Sequence, residues 1–493
     1  MLQPVSPMEP GGRSPASRSA RLGRILVFIP TYNERENVEP MCAELERLAL
    51  DADVFFIDDG SPDGTGTLLD QIAARLSRMS VRHGNGKAGI GSAHLAAIEY
   101  AYEQGYSTLI TMDCDFSHSP VDIPRLMAAA EKEGGEVIVG SRYLEAGSLP
   151  GWNVGRLLLT RLGHVMTTSL LGLPEDASGA FRLYRLDRIP RELFSKVQSK
   201  SYAFFFESLF VLSRNGLRIA EIPIVLPART YGHSKMTLTE AFRSARTLLR
   251  LFCDGVRFPE RFSLPRPLPP LSAQLTDPQN WDSYWGEQQV SSLYHVIASL
   301  YRQLVIKRHL DRAILAHFPP GSELLHAGCG SGQVDTHLQR EMRLTAIDIS
   351  PAALSRYVHN NPRAADVRHG SILELPFAGE TFDGVYNLGV LEHFQPPELQ
   401  RILEECRRVL RPRGKLVVFW PHRRATSVLV LKIATRLVRL VRDTAAVHPP
   451  EVSLLSGRRE AEARLAAAGF RLVEYSFGPR DFWVQALVVG ERL

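Results

Sequence analysis

The feature that most constrains this chain is an alternation of short apolar runs with helix-type patterns, which occurs twice. The first series begins with apolar runs at residues 25–29 and 54–57, which alternate with helical patterns at residues 38–50 and 67–76. The second series begins at Glu323 and has apolar runs at residues 323–327, 344–347, 384–387 and 415–420. Such alternation predicts parallel strands covered by helices. We therefore predict an α/β protein with two separate sheets.

A Pro-rich segment separates the two series. Its prolines are Pro265, Pro267, Pro269, Pro270 and Pro278. The segment has no hydrophobic periodicity, which is typical of an extended, semi-rigid linker. The residues that follow it, 281–318, have a helical pattern. We predict, in order, a disordered tail (1–21), a first domain (22–258), a linker (259–280) and a second domain (281–493).

Composition indicates a globular protein of a reducing compartment. Of the residues, 44% are hydrophobic and 23% are charged. The tail is rich in Pro, Gly, Ser and Arg and lacks the apolar core of a secretion signal. The five cysteines are scattered and contain no Cys-x-x-Cys pair, which argues against a disulfide framework or a zinc site. We expect a cytoplasmic location.

The same sequence limits the contacts that this protein can make with membranes and nucleic acids. No stretch reaches the roughly 18 uninterrupted apolar residues that a spanning helix needs. A net charge of +5 is small for this length, although it suits contact with anionic lipid. We find no nucleic-acid-binding module. Membrane contact is therefore expected to be peripheral, at the cytoplasmic face.

Polar residues follow the predicted strands of the first series. They are Tyr32, Glu34, Asp58, Asp59, Asp113 and Asp115. Ligands bind beyond the carboxyl ends of parallel strands, so these side chains are expected to share one cleft. Alternation would place Asp113 and Asp115 on one side of a strand end, with Cys114 opposite. Two such carboxylates suit a divalent cation that neutralises a diphosphate, although two aspartates in an isolated Asp-x-Asp are more often simply solvated.

The motifs that accompany the Asp-x-Asp sequence make the assignment of the first half specific. Motifs occur in the order Pro30-Thr31-Tyr32-Asn33-Glu34, Asp58 to Thr65, Lys87 to Gly91, Asp113-Cys114-Asp115, Gly140 to Tyr143, Ser178 to Tyr184, and Arg229 to Met236. With these motifs, residues 24–255 resemble a family 2 glycosyltransferase of the dolichyl-phosphate (polyprenyl-phosphate) mannosyltransferase type.

The resemblance implies an inverting enzyme with a GT-A nucleotide-sugar-binding domain. The residues expected to hold the nucleoside are Pro30, Tyr32, Glu34, Ile57 and Asp59. Asp113, Cys114 and Asp115 are expected to meet the diphosphate and Mg²⁺ or Mn²⁺, with the two aspartates as metal ligands. Further donor contacts are expected from Lys87, Arg229, Ser234 and Lys235.

The acceptor in that family is a polyprenyl phosphate, and the matching positions are Arg142, Arg156 and Thr160. Each arginine has an alternative interpretation as a surface cation. We interpret Asp113, Asp115, Arg142 and Arg156 as catalytic. No catalytic base is assigned, because a lipid phosphate is already an anionic nucleophile that orientation and charge neutralisation can activate.

The motifs describe a nucleotide and a phosphate more firmly than one sugar. Mannose from GDP-mannose is the favoured donor, glucose from UDP-glucose is an alternative, and a polar glycan is an alternative acceptor. The pattern of Phe242, Ala245, Leu249 and Phe252, with arginines on another face, indicates an interfacial helix or an ordinary amphipathic helix.

The second series carries its own candidate site. Gly328, Gly330 and Gly332 follow a predicted strand directly, and Asp348 comes after the next one. Glycines let the backbone approach a ligand closely, and the acidic residue can accept ribose hydroxyls. Taken alone, this pattern is also consistent with a dinucleotide site or a tight turn.

Further motifs lie at Leu375 to Phe377, Phe382 to Tyr386, Leu391 to Phe394 and Val409 to Leu416. With them, residues 281–493 resemble a class I S-adenosylmethionine-dependent methyltransferase, which has a Rossmann-like fold. The resemblance implies cofactor contacts from Gly328, Gly330, Gly332, Asp348, Ser371, Asn387 and His393. His393 is either a base for methylation or a residue that shapes the pocket.

Two positions depart from the methyltransferase pattern. His326 and Ser371 stand where family members usually carry acidic residues. We expect weaker cofactor binding, and a non-catalytic binding module is the alternative for this half. The sequence thus predicts a bifunctional enzyme, a hexosyltransferase fused to a methyltransferase of unknown acceptor.

Overall fold

The computed structural model describes residues 22–84, 86, 89–227, 238–272, 275, 281–285, 302–426, 452–479, 483 and 485–493. The predicted tail (1–21), the site residues Lys87, Arg229, Ser234 and Lys235, and residues 286–301 of the predicted helical region lie outside these ranges.

The chain forms two compact units. The first contains Met1–Leu159, Glu175–Phe205 and Leu217–Thr237. The second contains Thr160–Pro174, Phe206–Gly216 and Leu238–Leu493. The domain boundary within residues 259–280 stays a prediction.

Seven strands form the first sheet. They are β1 (Ile25–Thr31), β2 (Ala52–Asp58), β3 (Met79–His83), β4 (Thr108–Thr111), β5 (Val137–Ser141), β6 (Arg182–Arg185) and β7 (Ile219–Pro223), in the order β3-β2-β1-β4-β6-β5-β7. Strand β6 is antiparallel to β4 and β5, so the prediction of a parallel sheet was wrong at this strand. Strand β6 reads Arg-Leu-Tyr-Arg, a pattern that is the same in either direction, and mixed sheets are common.

The register of β1 and β2 brings their carboxyl ends together. The pairs run from Ile25 opposite Ala52 to Thr31 opposite Asp58. Strand β1 is apolar and almost wholly buried because helices cover both of its faces. Polar residues that follow these strands therefore emerge at one edge of the sheet.

The helices of the first series are α1 (Arg35–Arg47), α2 (Thr65–Ala73), α3 (Ile90–Glu103), α4 (Ile123–Glu133), α5 (Val154–Met166), α6 (Phe204–Arg214) and α7 (Leu238–Arg257). Helix α2 begins two residues before the predicted start at Thr67. The cause is Asp63, whose Oδ1 accepts the Thr65 N–H at 3.0 Å and thereby satisfies a donor in the first turn.

The second sheet also has seven strands. They are β8 (Glu323–Ala327), β9 (Arg343–Asp348), β10 (Asp366–His369), β11 (Phe382–Leu388), β12 (Leu410–Pro421), β13 (Phe470–Ser476) and β14 (Gln485–Arg492), in the order β10-β9-β8-β11-β12-β14-β13. Strand β14 is antiparallel to both β12 and β13. The first five strands are parallel and follow the doubly wound, Rossmann-like order.

The described helices that accompany this sheet are α8 (Trp281–Trp285), α9 (Lys307–His317), α10 (Leu338–Glu341), α11 (Pro351–Asn360), α12 (Pro396–Val409) and α13 (Arg458–Ala467). Short 3₁₀ or π-type turns occur at Pro120–Asp122, Thr167–Leu171, Arg191–Lys196, Pro259–Phe262, Arg302–Ile306, Gln333–Thr336 and Leu391–His393.

The first part of the predicted linker is anchored within the second unit. The hydroxyl of Ser263 lies 2.7 Å from His359 Nδ1. Arg266 donates to the carbonyl oxygens of Asn215 and Pro362, at 3.0 and 3.1 Å. Within the ranges that the structure describes, no helix combines the length and the apolarity needed to cross a membrane.

Candidate active sites

The loops after β1 and β2 form one edge of the first candidate site. Asp58 is buried and holds its own loop, because it accepts the Ser61 N–H at 3.0 Å and the Thr31 hydroxyl at 3.2 Å. Asp59, the next residue, is partly exposed. The structure therefore separates a loop-forming aspartate from one that solvent can reach.

Glu34 closes the loop that begins at Tyr32. Its N–H donates to the Thr65 hydroxyl at 3.0 Å, and its carboxylate accepts from Asn37 Nδ2 at 2.7 Å. Asn33 between them has a positive φ of 54°, a backbone region that asparagine tolerates better than most residues. Pro30, Tyr32 and Glu34 are partly exposed at this edge, whereas Ile57 is buried.

The Asp-x-Asp sequence lies in a tight turn after β4. Asp115 Oδ1 accepts both the N–H and the hydroxyl of Ser117, at 3.1 and 2.5 Å. Phe116 takes a φ of 58°, which is costly for an aromatic residue and is often found at functional sites.

Burial separates the three residues of this turn. Cys114 packs in the apolar core, and burial raises the pKa of its thiol well above the ordinary value. Only the main chain of Cys114 is therefore available to a ligand. Asp113 is partly exposed and Asp115 is buried.

His118 belongs to the same site, although sequence reasoning missed it. Its Nδ1 accepts the Asp113 N–H at 3.0 Å, and its ring stacks on Phe181 with centroids 5.4 Å apart. Burial lowers the pKa of His118, and the nearby charges of Asp113 and Asp115 oppose that shift only in part. Its position three residues after Asp115 was the only available signal, and such a spacing alone indicates no more than a turn.

A buried ion pair joins Arg142 to Asp176 at the same place. The guanidinium contacts both carboxylate oxygens, and the Arg142 N–H also donates to Asp176 Oδ2, at 3.3 Å. Burial lowers the pKa of Arg142, but the charge of Asp176 outweighs that effect and leaves the pKa above its usual value. Burial likewise raises the pKa of Asp176, and Arg142 brings it below its ordinary value.

Electrostatic influence ties these groups into one cluster. The charges of Asp113, Asp115, Arg142 and Asp176 all act on His118. The structure therefore brings together three residues that sequence reasoning predicted, namely Asp113, Asp115 and Arg142, with two that it missed, His118 and Asp176. No group of three or more His, Cys, Asp or Glu residues suited to a metal ion occurs among the described residues.

Arg156 and Thr160 lie one turn apart on α5. The guanidinium of Arg156 lies 3.6 Å from the centroid of the Trp152 ring, and its N–H donates to Asn153 Oδ1 at 2.8 Å. None of the residues of α5 is buried. Val154, Leu158, Leu162 and Val165 recur at helical spacing and are all more than half exposed, so the helix carries an apolar stripe.

The second candidate site begins with the glycine-rich loop after β8. The N–H groups of Gly328 and Cys329 both donate to the Ile347 carbonyl, at 2.9 and 3.0 Å. Gly330 has a φ of 52°, and a Cβ placed there would lie 2.7 Å from the Trp285 ring. Glycine is therefore required at position 330 by both backbone conformation and space.

Asp348 anchors this loop at the end of β9. Its Oδ2 accepts the Gly330 N–H at 2.7 Å, and its Oδ1 accepts the Ser350 N–H at 2.9 Å. Burial raises the pKa of Asp348, while these two backbone donors lower it. Each carboxylate oxygen keeps a further lone pair, so the residue can still accept hydrogen bonds from a ligand.

The other predicted cofactor residues occupy the ends of neighbouring strands. Ser371 follows β10, and its hydroxyl accepts the Leu373 N–H at 3.2 Å. Asn387 is buried in β11 and donates to the Ala327 carbonyl, while its Oδ1 has no hydrogen-bond partner within the described ranges. His393 is buried, with its ring 5.1 Å from that of Trp281 in an edge-to-face arrangement.

Comparisons with known proteins match the two halves separately. Residues 26–189 match the family described as glycosyl transferase family 2, and residues 325–418 match the family described as methyltransferase domain. Polyprenol monophosphomannose synthase of Mycolicibacterium smegmatis is 38% identical over 216 residues, which cover 43% of this chain and 81% of that protein. Undecaprenyl-phosphate mannosyltransferase of Micrococcus luteus is 35% identical over 215 residues, which cover 43% and 88%.

Solved structures are more distant. A SAM-dependent methyltransferase from Methanosarcina mazei is 19% identical, with a TM-score of 0.28, and the match covers 37% of this chain and 97% of that one. The strand order and the family match show that the second half has the Rossmann-like fold of a methyltransferase domain. The chain is an enzyme that belongs to glycosyl transferase family 2 through its N-terminal half and carries a methyltransferase domain in its C-terminal half.

Proposed function

We propose that the N-terminal half transfers mannose from GDP-mannose to a polyprenyl phosphate, with inversion at the anomeric carbon. The cluster of Asp113, Asp115 and His118 with the Arg142–Asp176 pair is the observation that carries this proposal. The acidic groups of this cluster suit a metal-bound donor, and its held cation suits an anionic acceptor. The similarity to two polyprenyl-phosphate mannosyltransferases supports mannose over glucose as the sugar.

The donor side needs the charge of a diphosphate leaving group to be offset. Asp113 and Asp115 are the residues proposed to hold Mg²⁺ or Mn²⁺, which would stabilise that charge when bound. Mg²⁺ is commonly held by one or two carboxylates plus substrate phosphates and water, a role that these two aspartates suit. His118 holds the turn through the Asp113 N–H.

The acceptor side uses Arg142 and Arg156 as orienting cations. Asp176 occupies Nε and Nη2 of Arg142, whereas Nη1 has no hydrogen-bond partner within the described residues. A guanidinium held on one edge presents its other edge in a fixed direction, which suits a phosphate oxygen. The lipid phosphate then attacks as an anion, and no general base is needed. Thr160 is a candidate hydroxyl donor to the same phosphate.

Peripheral membrane contact at the cytoplasmic face is proposed from two helices. Helix α5 carries the exposed apolar stripe next in sequence to Arg156. Helix α7 exposes Phe242 and Leu249 and carries Arg243, Arg246 and Arg250. Exposed apolar residues beside basic ones are typical of helices that lie in the interface of anionic membranes.

For the C-terminal half we propose S-adenosylmethionine as the methyl donor to an acceptor that the structure does not identify. The loop at Gly330 leaves no room for a side chain and exposes its backbone to close packing, and Asp348 retains lone pairs for ribose hydroxyls. The buried, unpartnered Oδ1 of Asn387 is a polar atom that a bound ligand would satisfy. Ser371 and His393 are proposed to line the same pocket.

Binding measurements test the donor assigned to the N-terminal half. Calorimetric titration with GDP-mannose and UDP-glucose in Mn²⁺ is expected to give micromolar binding of GDP-mannose and at least tenfold weaker binding of UDP-glucose. Asp115→Asn is expected to weaken the tighter interaction at least tenfold, while Asp51→Asn, at an exposed position, leaves it unchanged. Equal binding of the two donors would contradict the mannose assignment.

A further inference from the structure

A buried polar cluster lies beneath the glycine-rich loop of the methyltransferase domain. His326 Nδ1 lies 2.6 Å from Asp335 Oδ2, and the two residues are 2% and 0% exposed. The hydroxyls of Tyr357 and Tyr386 donate to the same carboxylate, each at 2.9 Å. An ionised carboxylate only accepts, so the network assigns the His326 proton to Nδ1.

The cluster is built into the loop. Asp335 lies in the turn Gln333–Thr336 that follows the third glycine, and its N–H donates to the Gly332 carbonyl at 3.0 Å. A Cβ at Gly332 would collide with the Tyr357 ring. The ring of His326 stacks on that of Tyr386, with centroids 4.3 Å apart. The His326–Asp335 pair therefore supports the loop from beneath, through the bond between Asp335 and Gly332.

His326 also acts on Asp348, the residue proposed to accept ribose hydroxyls. Burial is the largest influence on Asp348 and leaves its pKa raised, while the Ser350 and Gly330 N–H groups and His326 oppose that shift only in part. The glycine-rich loop links Asp348 to the cluster, because Asp348 accepts the Gly330 N–H at 2.7 Å and the Asp335 N–H donates to the Gly332 carbonyl at 3.0 Å.

We infer that His326 and Asp335 form a positioning pair for the methyltransferase cofactor, in which Asp335 supplies the carboxylate expected at position 326. The inference rests on the proposed binding of S-adenosylmethionine. Asp335, nine positions after His326, thus carries the carboxylate that family members usually have at position 326. His326 contacts that carboxylate from the end of strand β8, directly before the glycine-rich loop. The pair is a positioning device because it is buried and holds the loop to which Asp348 is hydrogen-bonded.

The charges of His326 and Asp335 predict how single and paired substitutions at these two positions should differ. His326→Asp alone restores the residue type of the family pattern but places a second carboxylate against Asp335, where like charges in a buried site repel. His326→Asp combined with Asp335→Asn removes that repulsion and lets the amide donate to the new carboxylate. A positioning pair therefore predicts rescue, because the double variant again has one carboxylate and one donor.

The test compares cofactor affinity with folding in the full chain. Calorimetric titration with S-adenosylmethionine is expected to show at least tenfold weaker binding for Asp335→Asn and for His326→Asp, and recovery to within about threefold of the wild type in the double variant. Tyr386→Phe serves as the matched control, because it removes a hydrogen bond to the same carboxylate and leaves the pair intact. Its affinity is expected to change less than threefold.

Thermal unfolding of each variant separates positioning from stability. Folded Asp335→Asn that binds with wild-type affinity would overturn the inference, as would a folded double variant that binds no better than His326→Asp. If Asp335→Asn does not fold, the comparison of the double variant with the wild type decides. Wild-type protein that fails to bind at millimolar cofactor would overturn the proposed function itself, a result distinct from equal binding by wild type and variant.

Discussion

Arg142 and Asp176 are joined by two parallel contacts, with Nε 2.7 Å from Oδ2 and Nη2 3.0 Å from Oδ1. The side chain of Asp176 is wholly buried, and that of Arg142 is 10% exposed. A pair in this position has both a structural and a functional consequence. It fixes the direction of the guanidinium, and it makes each partner depend on the other.

Removal of Asp176 is expected to destabilise the protein. Asp176→Ala leaves a buried guanidinium without its carboxylate, a change that typically costs about 3–5 kcal/mol. Urea-induced unfolding measures the loss. Asp51→Ala is the matched control, since it breaks the exposed pair with Arg78 and is expected to cost less than about 1 kcal/mol. Equal costs for the two variants would contradict the role assigned to the buried pair.

Arg142→Lys is expected to impair use of the lipid acceptor more than binding of the donor. Lysine keeps the charge but cannot contact Asp176 at two points while presenting a further edge. We expect kcat/KM for polyprenyl phosphate to fall at least tenfold, with the affinity for GDP-mannose within threefold of the wild type. Steady-state kinetics with varied acceptor, together with donor titration, provide the measurement. Arg125→Lys, at a more exposed pair with Asp122, provides the control.

Substitutions in the apolar stripe of α5 are expected to weaken membrane binding without lowering the stability of the fold. Leu158 and Leu162 are 63% and 56% exposed, so their joint replacement by Glu is expected to change the free energy of unfolding by less than about 1 kcal/mol. Sedimentation with vesicles of phosphatidylglycerol and phosphatidylcholine is expected to fall at least threefold, because apolar burial is lost and anionic charge is added. Leu315→Glu, on α9, should sediment like the wild type; an equal loss for that variant would refute a specific α5 contact.

His94 predicts a loss of stability in acid. Its ring is buried against Phe28, Phe204 and Phe205, and burial lowers its pKa to about 3. In the unfolded chain a histidine takes up a proton below about pH 6.5, whereas the folded protein resists it. Stability from this residue is therefore complete above that pH and is lost as pH falls towards 3.

The expected cost from His94 is about 2 kcal/mol at pH 5 relative to pH 7.5. Chemical denaturation across that range measures it. His94→Leu removes the titrating group. The free energy of unfolding of the wild type minus that of the variant should therefore fall by that amount between pH 7.5 and pH 5. A difference that stays constant between pH 7.5 and pH 5 would show that His94 is not the acid-sensitive group.

Features that depend on strand ends were predictable from the sequence. Thr31 and Asp58 meet in register because parallel strands emerge at one edge, and the Asp113 turn lies beside them because β4 pairs with β1. Bounds were accurate for β8, where Glu323 and Ala327 were the predicted limits. The direction of β6 was not predictable, because alternation carries no information about polarity.

Contacts between distant residues were the part that sequence reasoning missed. Asp176 lies 34 positions after Arg142, and neither spacing nor periodicity links the two. The position of Asp335 beneath the loop depends on the turn Gln333–Thr336, which the sequence pattern does not predict. The sequence alone therefore shows His326 only as a departure from the acidic pattern. Paired charges of this kind are selected by tertiary packing, which a local pattern does not describe.

The most direct test of the central claim is product formation from GDP-mannose, Mn²⁺ and undecaprenyl phosphate by the full chain, followed by mass spectrometry. We predict mannosyl-phosphoryl-undecaprenol from the wild type, at least 100-fold less from Asp115→Asn, and little product when UDP-glucose replaces GDP-mannose. Proton-coupled carbon NMR of the product should show a β anomer. Absence of a lipid-linked sugar with either donor, from protein that binds GDP-mannose, would contradict the polyprenyl-phosphate acceptor.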